Sequence, residues 1–489
     1  MKVLKDLLYG VSISAVRGTT GLAVRAVCFD SRTVETSDLF VAVRGVAVDG
    51  HDFIETAIRS GAIAVICDTF PEVLHAHVTY VEVADSKRAL ALVAANFYDN
   101  PSKNLKLIGV TGTNGKTTVA TLLYQLFLVS GYKVGLISTI RILVHEKAYD
   151  TRHTTPDALI LNLRLAEMNA AGVEYCFMEV SSHGLDQQRT AGLQFAGAIF
   201  TNLTHDHLDY HKDFASYRNV KKSLFDGLTS KAFALVNADD KNGAFMLQNC
   251  GAKKYTYALK SYADYRAQIL EQQVDGQLLK IQEHEVWTKL IGAFNAYNIL
   301  AIYAAANLLG LEHLEILKRI STLEAVAGRF QSFVSGNGIT AIVDYAHTPD
   351  ALKNVLDTLE AIRTGNESVI TVLGCGGDRD QAKRPLMGGI AAASSQTVIF
   401  TSDNPRSEDP VRIIEAMQGG VSPQHLRKVL IITDREQAIR TACKLAAPGD
   451  YILVAGKGHE TYQEIAGIRK DFDDFKIVQY ELERLAPRT

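Results

Sequence analysis

One short segment of the chain combines the residue types that hold phosphate in proteins. It lies between an apolar run at 105–110, which predicts a buried β-strand, and a helical pattern at 119–129. The backbone N–H groups of such a loop converge on an anion, and the helix N-terminus adds its dipole. Lys116 supplies positive charge, and the hydroxyl of Thr117 can hold Mg²⁺. The segment therefore predicts a nucleoside triphosphate site made of Gly112, Thr113, Asn114, Gly115, Lys116, Thr117 and Thr118.

The glycine spacing of this loop departs from the pattern G-x-x-x-x-G-K-[ST] of most nucleoside triphosphatases. The first glycine of that pattern falls at Val110, and Gly109 stands one residue too early. A plain strand–turn–helix junction with a solvated lysine is the alternative interpretation. The two glycines, the lysine and the paired threonines together favour nucleotide binding.

Two further polar segments follow predicted strands and suggest a metal site. Glu179 lies in the run 174–181, and its carboxylate is an oxygen ligand of the kind that Mg²⁺ prefers. His205, His207 and His211 lie within seven residues after the run 196–203. Three histidines at this spacing also suggest zinc, but a triphosphate needs magnesium, which keeps few protein ligands. We therefore expect one imidazole in a magnesium shell and one or two on substrate.

The elements that must position these residues divide the 489-residue chain into three predicted α/β domains. Residues 1–102 hold short apolar runs and two helical segments, and turn-forming residues at 99–102 suit a boundary. Residues 103–332 alternate strands with helices, which predicts a mostly parallel sheet covered on both faces. Residues 333–489 form a third series, with strands predicted at 340–345, 369–374, 398–402, 429–433 and 451–455.

Four predicted strands of the third domain end in polar or glycine-rich loops. These loops are 344–347, 374–379, 403–406 and 456–460. Ligands of open α/β sheets bind outside the carboxyl ends of the strands. A second ligand site is therefore predicted at this edge.

Composition and charge limit the classes of protein to which the chain can belong. Hydrophobic residues make up 47% and charged residues 21% of the chain, as in an ordinary globular protein. The formal net charge of −3 predicts no nucleic-acid partner. Residues 1–16 lack the apolar core of a signal peptide, and no uncharged run approaches the roughly 20 residues of a membrane span. The six cysteines include no C-x-x-C pair, so we expect free buried thiols in a cytoplasmic protein without membrane insertion.

Taken together, these segments resemble the Mur ligases of bacterial cell-wall synthesis. The matching motifs keep the family's order and lie at 111–117, 179–185, 202–211, 217–221, 328–330 and 344–349. The family's phosphate loop reads Gly-Thr-Asn-Gly-Lys-Thr, which accounts for Val110. The resemblance implies three domains: a small N-terminal α/β domain for a UDP-sugar, a central P-loop-type, parallel-sheet ATPase domain, and a C-terminal Rossmann-like α/β domain for an amino acid.

The resemblance also implies an ATP-dependent amide ligase, in which ATP activates a carboxylate as an acyl phosphate and an amine displaces the phosphate. Residues 29–32 and 38–42 are similar to the uridine-binding region of the third ligase, which adds a diamino acid to UDP-N-acetylmuramoyl-L-alanyl-D-glutamate. The run 403–406, Asp-Asn-Pro-Arg, resembles the form that uses meso-diaminopimelate. A guanidinium at Arg406 can pair with the second carboxylate of that amino acid, which lysine lacks.

The implied catalytic residues are Lys116, Glu179, His207 and Lys221. Thr117 and Glu179 match positions that hold one Mg²⁺, and His207 and Lys221 match those that serve a second. An ammonium cannot ligate a cation, but in the family this lysine is carbamylated by CO₂ to N6-carboxylysine. By residue type alone, a lysine pair on the helical segment 217–225 belongs to a solvated face. Lys222 is the alternative site of modification, but the spacing from Tyr217 favours Lys221.

The remaining implied contacts follow the family's motifs. ATP would also contact Asn295, Arg329, Asp344 and His347, although Asn295 could be an ordinary helix N-terminal residue. The muramyl peptide would contact Phe29, Ser31, Thr154, Thr155, Ser181, Gln187 and Arg189. Diaminopimelate would contact Arg384, Asp403, Asn404, Pro405, Arg406, Gly456 and Glu460. We expect a monomer whose partners are these small molecules.

Four other functions are alternatives to this one. A lysine-adding Mur ligase and a folylpolyglutamate-synthetase-like ligase share the phosphate loop, but the run 403–406 argues against both. A small-molecule kinase would need a hydroxyl acceptor site, which nothing in the sequence specifies. A nucleotide-binding regulator without chemistry would not need Glu179, His207 and Lys221 together.

Overall fold

The structure is a computed structural model that describes residues 1–45, 48–151, 153–206 and 210–485. His207, a predicted metal ligand, lies outside these ranges. Three main sheets, each with its own helices, follow one another along the chain. This confirms the predicted α/β class and the three-domain architecture, while the domain bounds 1–102, 103–332 and 333–489 stay predictions.

The N-terminal domain is a small α/β unit. Its elements are β1 (Lys2–Val3), α1 (Leu4–Leu7), β2 (Ile13–Arg17), β3 (Ala23–Val24), β4 (Val27–Cys28), β5 (Asp38–Val41), α2 (Ile54–Arg59), β6 (Ala62–Cys67), β7 (Thr79–Val83) and α3 (Ser86–Phe97). The main sheet has the order β2-β7-β6-β5-β4, in which β4 to β7 are parallel and β2 is antiparallel. The short apolar runs of this part of the sequence coincide with β4 to β7, whereas the exposed strand β2 was not singled out.

The central domain contains an eleven-stranded sheet. Its elements are β8 (Lys106–Thr111), α4 (Lys116–Val129), β9 (Val134–Ile137), β10 (Ile142–Val144), β11 (Lys147–Tyr149), α5 (Ala158–Ala170), β12 (Tyr175–Glu179), α6 (Ser182–Asp186), β13 (Gly197–Phe200), α7 (Phe214–Asp226), β14 (Phe233–Asn237), α8 (Gly243–Met246), β15 (Lys253–Ala258), β16 (Tyr265–Gln273), β17 (Gly276–Ile281), β18 (His284–Thr288), α9 (Ala293–Leu308) and α10 (His313–Ile320). The order is β11-β10-β9-β12-β8-β13-β14-β15-β16-β17-β18. In this order, the central strands β9-β12-β8-β13-β14-β15-β16 run parallel to one another. Antiparallel strands extend the sheet at both edges, β10 and β11 at one and β17 and β18 at the other.

Helices cover both faces of this sheet, as predicted. Ile108 and Val110 of β8 pack with α4 and α9 on one face, whereas Leu107 packs with α5 and α7 on the other. Successive residues of a strand point to opposite faces, so an apolar run without alternation signals a strand buried on both sides. This burial fixes the carboxyl ends of β8, β9 and β12, where the candidate site residues begin.

The C-terminal domain has a six-stranded sheet of order β19-β20-β24-β21-β22-β23. Its elements are β19 (Gln331–Val334), β20 (Thr340–Asp344), α11 (Pro349–Ile362), β21 (Val369–Leu373), α12 (Lys383–Ser394), β22 (Thr397–Phe400), α13 (Pro410–Gln418), β23 (Val429–Ile431), α14 (Arg435–Leu445), β24 (Tyr451–Ala455), β25 (Tyr462–Ile465), β26 (Ile468–Asp471) and α15 (Asp474–Leu485). All neighbours are parallel except β19 and β20. The five strands predicted for this domain are present.

Two expectations from composition can be compared with the structure. All six cysteines are buried and free, as predicted. Within the described ranges, no helix has the length and apolar character needed to cross a bilayer.

Candidate functional site

The phosphate loop is the turn between β8 and α4. Gly112 has φ of 150° and Gly115 has φ of 86°, a region that favours glycine. A Cβ atom at Gly112 would lie 2.0 Å from Thr201 Oγ1, and one at Gly115 would lie 2.6 Å from Asn298 Oδ1. Val110 needs no such freedom because it pairs inside the sheet with Glu179 and Ile199. The shorter glycine pattern is therefore sufficient for this loop.

Lys116 folds back over the loop at the start of α4. Its Nζ donates to the carbonyl oxygens of Gly112 at 2.9 Å and Thr113 at 2.7 Å. Burial lowers the pKa of Lys116, while the carboxylates of Glu179 and Asp206 raise it. The positive charge thus lies where the phosphate groups of a nucleotide would be held.

Glu179 is fully buried at the carboxyl end of β12. Its carboxylate accepts hydrogen bonds from Thr117 Oγ1 at 3.0 Å, from the Thr139 backbone N–H at 2.8 Å and from Thr139 Oγ1 at 3.1 Å. Thr117 Oγ1 also accepts from Arg329 Nη2 at 2.9 Å. The two predicted magnesium ligands, Thr117 and Glu179, therefore lie next to each other, with a hydroxyl oxygen beside a carboxylate oxygen. Thr139, which follows β9 at the same sheet edge, was missed.

Lys221 and its neighbour Lys222 have different surroundings on α7. Lys221 is 1% exposed, and its Nζ donates to the Gly112 carbonyl oxygen at 2.8 Å. Burial lowers the pKa of Lys221 well below its usual value, and the charge of Lys116 lowers it further. Lys222 instead pairs with Asp226. Of the two lysines, Lys221 is the one that contacts the phosphate loop.

A cavity of about 710 Å³ opens beside the phosphate loop, between α9 and α11. Asn114 of the loop crosses to the C-terminal domain, where its Nδ2 donates to Asp350 Oδ2 at 3.1 Å. The volume falls within the usual range for small-molecule sites. Asn298 lines this cavity, and Asn295, in the first turn of α9, accepts from Asn298 Nδ2 at 3.1 Å. Asn298 thus lies between Asn295 and the cavity, and the sequence prediction missed Asn298.

Residues of the C-terminal domain close the cavity on its other side. Asp344 accepts from the Phe330 N–H at 2.6 Å, and burial raises the pKa of Asp344 to about 6. His347 Nδ1 donates to the Tyr345 carbonyl oxygen at 2.8 Å. Burial lowers the pKa of His347 to about 4, so the imidazole is neutral near pH 7. Arg329 and Asp344 line the cavity, and His347 lies beside it in the loop after β20.

The segment that carries Arg329 also touches the loop after β24. Gly328 has φ of 65°, and a Cβ atom there would lie 2.0 Å from the His459 backbone nitrogen. The Gly328 carbonyl oxygen accepts from the Tyr345 N–H at 2.9 Å. Only a glycine permits this approach, which joins the cavity wall to the loop 456–460.

The residues predicted for the muramyl peptide form one network in the central domain. Thr155 Oγ1 donates to the Glu179 carbonyl oxygen at 2.9 Å and accepts from the Ser181 N–H at 2.9 Å. Arg189 Nη1 donates to the Thr155 carbonyl oxygen at 2.6 Å, and Arg189 Nη2 donates to Gln187 Oε1 at 2.6 Å. Thr154 joins through Thr139, whose Oγ1 lies 3.0 Å from Thr154 Oγ1.

The other two residues predicted for this ligand lie in the N-terminal domain. Phe29 is 40% exposed, and Ser31 begins a short 3₁₀ turn after β4. No hydrogen bond joins them to the central network among the described residues. Their shared role stays a prediction.

The loops after β22 and β24, which the sequence predicts to bind the amino acid, contact each other. Asn404 Nδ2 donates to Glu460 Oε2 at 2.7 Å, and Lys457 Nζ donates to Asn404 Oδ1 at 3.0 Å and to Glu460 Oε2 at 3.2 Å. A Cβ atom at Gly456 would lie 2.5 Å from Asp403 Oδ2. Burial and the nearby carboxylate of Asp403 raise the pKa of Glu460. Lys457, fully buried, was missed although it lies inside a predicted loop.

The two predicted arginines of this region differ in their partners. Arg384 forms a bidentate ion pair with Glu408, with N–O distances of 2.9 and 2.8 Å. Arg406 Nη1 donates to the Gly377 carbonyl oxygen at 2.6 Å, and its backbone has a left-handed φ of 52°. Within the described part of the chain, no carboxylate lies within ion-pair distance of Arg406. Arg406 is thus the arginine with charge available for a ligand carboxylate.

The chain is similar to known proteins over almost its whole length. The Mur ligase middle domain matches residues 110–306, the glutamate ligase domain of Mur ligases matches 328–458, and the catalytic domain of the Mur ligase family matches 23–98. The UDP-N-acetylmuramoyl-L-alanyl-D-glutamate–2,6-diaminopimelate ligase of Cytophaga hutchinsonii is 53% identical over 483 residues, which cover 99% of each chain. The ligase with that name from Geobacillus kaustophilus is 44% identical over 92% of this chain and 93% of its own.

A solved structure of a UDP-N-acetylmuramoyl-L-alanyl-D-glutamate–2,6-diaminopimelate ligase has a TM-score of 0.70, with 33% identity and 99% of each chain covered. The MurF ligase of Thermotoga maritima in complex with ADP shares the fold with a TM-score of 0.63 at 18% identity, covering 94% of this chain and 99% of its own. From these matches and the arrangement of the phosphate loop, we conclude that the chain belongs to the Mur ligase family.

Proposed function

We propose that this chain adds meso-diaminopimelate to UDP-N-acetylmuramoyl-L-alanyl-D-glutamate with ATP, giving the UDP-muramyl tripeptide of peptidoglycan synthesis. Its relatives named 2,6-diaminopimelate ligases match nearly the whole chain. The observation that carries the proposal is the pairing state of the two arginines: Glu408 neutralises Arg384, whereas Arg406 retains its charge for the carboxylate that distinguishes diaminopimelate from lysine.

The chemical step needs an activated carboxylate, because a carboxylate and an amine do not condense in water. The γ-phosphoryl group of ATP passes to the D-glutamyl side-chain carboxylate, which becomes an acyl phosphate as ADP leaves. The neutral amine then attacks the acyl carbon, the amide C–N bond forms, the C–O bond to phosphate breaks, and the amine nitrogen loses a proton. Lys116 and the loop N–H groups hold the β- and γ-phosphates, and their positive potential stabilises the charge of the transferring group.

The residues around Glu179 fit a magnesium ion. A buried carboxylate and a threonine hydroxyl 3.0 Å apart supply oxygen, which is the donor type that this ion takes. We assign Thr117 and Glu179 to one Mg²⁺, and His207 and Lys221 to a second. Bound magnesium neutralises the repulsion between the phosphates and the attacking carboxylate.

Lys221 can serve a metal only after its charge is changed. Its buried amine, with a pKa well below the usual value, is favoured in the neutral form that can attack CO₂. That attack forms an N–C bond, releases a proton and yields a carbamate with two oxygens. We therefore assign the N6-carboxylysine to Lys221 rather than to Lys222, whose ammonium pairs with Asp226.

The substrates occupy different parts of the chain. ATP takes the 710 Å³ cavity with Asn114, Arg329 and Asp344. The muramyl peptide lies on the network of Thr155, Ser181 and Arg189, with its UDP group toward Phe29 and Ser31. The amine enters from the loops 403–406 and 456–460. We propose that the protein works as a monomer in the bacterial cytoplasm, with these small molecules as its partners.

Measuring phosphate release tests the proposal. Purified protein with Mg²⁺ and ATP should release phosphate only when both the UDP-muramyl dipeptide and meso-diaminopimelate are present. Lysine and ornithine, offered in place of diaminopimelate, should support far slower release. Release that does not depend on the muramyl dipeptide would contradict the ligase function, and equal rates with lysine would contradict the assigned amine.

A further inference from the structure

An ion pair lies beneath the two loops assigned to the amino acid. Arg435, the first residue of α14, is 1% exposed, and Asp474, the first residue of α15, is fully buried. The contact is bidentate: Arg435 Nε lies 2.8 Å from Asp474 Oδ1, and Nη2 lies 2.7 Å from Oδ2. A guanidinium and a carboxylate have thus been removed from water entirely, 39 residues apart in the chain.

The remaining donors of the guanidinium point at the end of β24 and at the segment just after β22. Arg435 Nη2 donates to the carbonyl oxygen of Ala455, the last residue of β24, at 3.0 Å. Nη1 approaches the carbonyl oxygen of Ser402 at 3.5 Å. Ala455 directly precedes Gly456, and Ser402 directly precedes Asp403. One rigid, planar group therefore spans the starting points of both substrate loops.

Stability alone does not account for this pair. Desolvation of two buried charges costs several kcal/mol, and apolar residues of similar volume often stabilise a fold as well or better. A cation at the N-terminus of α14 also opposes the helix dipole. Directional hydrogen bonds to two separate strand ends are what a guanidinium supplies and an apolar side chain does not.

The pair also acts electrostatically on the loops. Burial lowers the pKa of Arg435, but the carboxylates of Asp474, Asp403 and Glu460 raise it, with a net increase. Asp403 and Glu460 are both assigned to the amino acid, so the charge of Arg435 acts on residues of both substrate loops.

We propose that Arg435, held by Asp474, is a positioning residue that fixes the spacing of the loops 403–406 and 456–460 and so sets affinity and selectivity for the diamino acid. This inference rests on the proposed function. Arg435 touches the strand ends and not the substrate. Its effect should therefore appear in the kinetics of diaminopimelate and not in those of ATP.

The test uses a double variant, Arg435→Met with Asp474→Leu, which removes the pair without leaving a single buried charge. We expect a folded protein whose melting temperature stays within about 5 °C of the parent. The KM for meso-diaminopimelate should rise at least about tenfold, the KM for ATP should change less than about twofold, and the preference for diaminopimelate over lysine should shrink. Arg440→Met with Glu481→Leu is the matched control, because that pair (3.0 Å) joins the same two helices away from the loops.

A second variant covers the case in which the double variant does not fold. Arg435→Lys keeps the charge beside Asp474 but cannot reach both carbonyl oxygens, so it should show the same rise in KM for diaminopimelate. Unchanged diaminopimelate kinetics in a folded variant, or equal effects in the Arg440 control, would overturn the positioning role. The unmodified protein tests the proposed function separately, because it must use diaminopimelate before any variant is compared.

Discussion

Replacing Arg406 with alanine should convert a selective ligase into a poor and less selective one. Among the described residues its guanidinium has no carboxylate partner, so a ligand carboxylate would be the first to neutralise it. Alanine keeps a Cβ atom, so the backbone at φ of 52° is not relieved and the change is confined to the side chain. The substitution thus isolates the contribution of the guanidinium to binding of the amine.

The expected magnitude follows from the type of bond that is lost. A hydrogen bond between charged groups contributes about 1.5–3 kcal/mol, which corresponds to about 10- to 150-fold in kcat/KM for meso-diaminopimelate. Lysine lacks the second carboxylate and leaves Arg406 unpaired, so its kcat/KM should stay constant or rise when the arginine is removed. Arg406→Lys should lie between, because an ammonium retains charge but not the two-pronged geometry.

Phosphate release measured with each amine at saturating ATP provides the assay. The KM for ATP is an internal control, and Arg412→Ala, which removes an exposed arginine of α13, controls for the loss of one positive charge. An equal loss of kcat/KM for lysine and diaminopimelate would refute the reasoning, since it would show that Arg406 supports the loop and does not recognise the ligand.

Three further predictions concern the centre of the molecule. Glu179→Gln keeps the side-chain volume but removes a metal ligand, so kcat should fall about 100-fold while circular dichroism stays unchanged; activity within threefold of the parent would contradict the assignment. Intact mass measured in bicarbonate buffer should show one added CO₂ that Lys221→Ala lacks and Lys222→Ala retains, and loss of the adduct in the second variant would reassign the modification. The raised pKa of Asp344, about 6 against 3.8, means that the fold favours the protonated carboxyl. The protonated carboxyl contributes about 3 kcal/mol to the free energy of unfolding; this contribution is complete below about pH 4 and is lost as pH rises through 6. In chemical denaturation, the stability of the parent relative to Asp344→Asn should therefore fall between pH 4 and 7. Stability curves of the two proteins that run parallel over this pH range would contradict the prediction.

Much of this architecture could be predicted because buried parallel strands leave a plain signature in sequence. β8, β12, β14 and β24 each contain an unbroken apolar run of at least four residues, and glycine or polar residues lie at or just after the end of each strand. Both the strand and the loop that follows it can therefore be recognised in the sequence. Strands β16, β17 and β18, which pair antiparallel with one another, were missed. They mix polar and apolar residues because one face is partly exposed, and their signal is alternation interrupted by the short turn at Val274 and Asp275.

Only those residues of the candidate site that belong to a local sequence motif could be predicted. Glu179 and the phosphate loop are recognisable because each follows its own strand. The bond between Arg329 and Thr117 joins residues 212 positions apart, and the Arg435–Asp474 pair joins two helix starts that no spacing relates. Likewise, residue type gives no reason to prefer Lys221 over Lys222, since the direction of each side chain on α7 depends on which face packs against the loop.

The contact of Gly328 with His459 has a mechanical consequence. On one side of this contact Arg329 donates to Thr117 of the phosphate loop, and on the other side lies the loop 456–460, which carries Glu460 and is proposed to bind the amine. The backbone contact between Gly328 and His459 thus joins the cavity wall to the loop proposed for the amine. Close-packed interiors have low compressibility and transmit strain, so we expect a displacement on the nucleotide side to reach the amine side. A side chain at position 328 would clash with the backbone at His459 and should move the nucleotide site and the amine site apart.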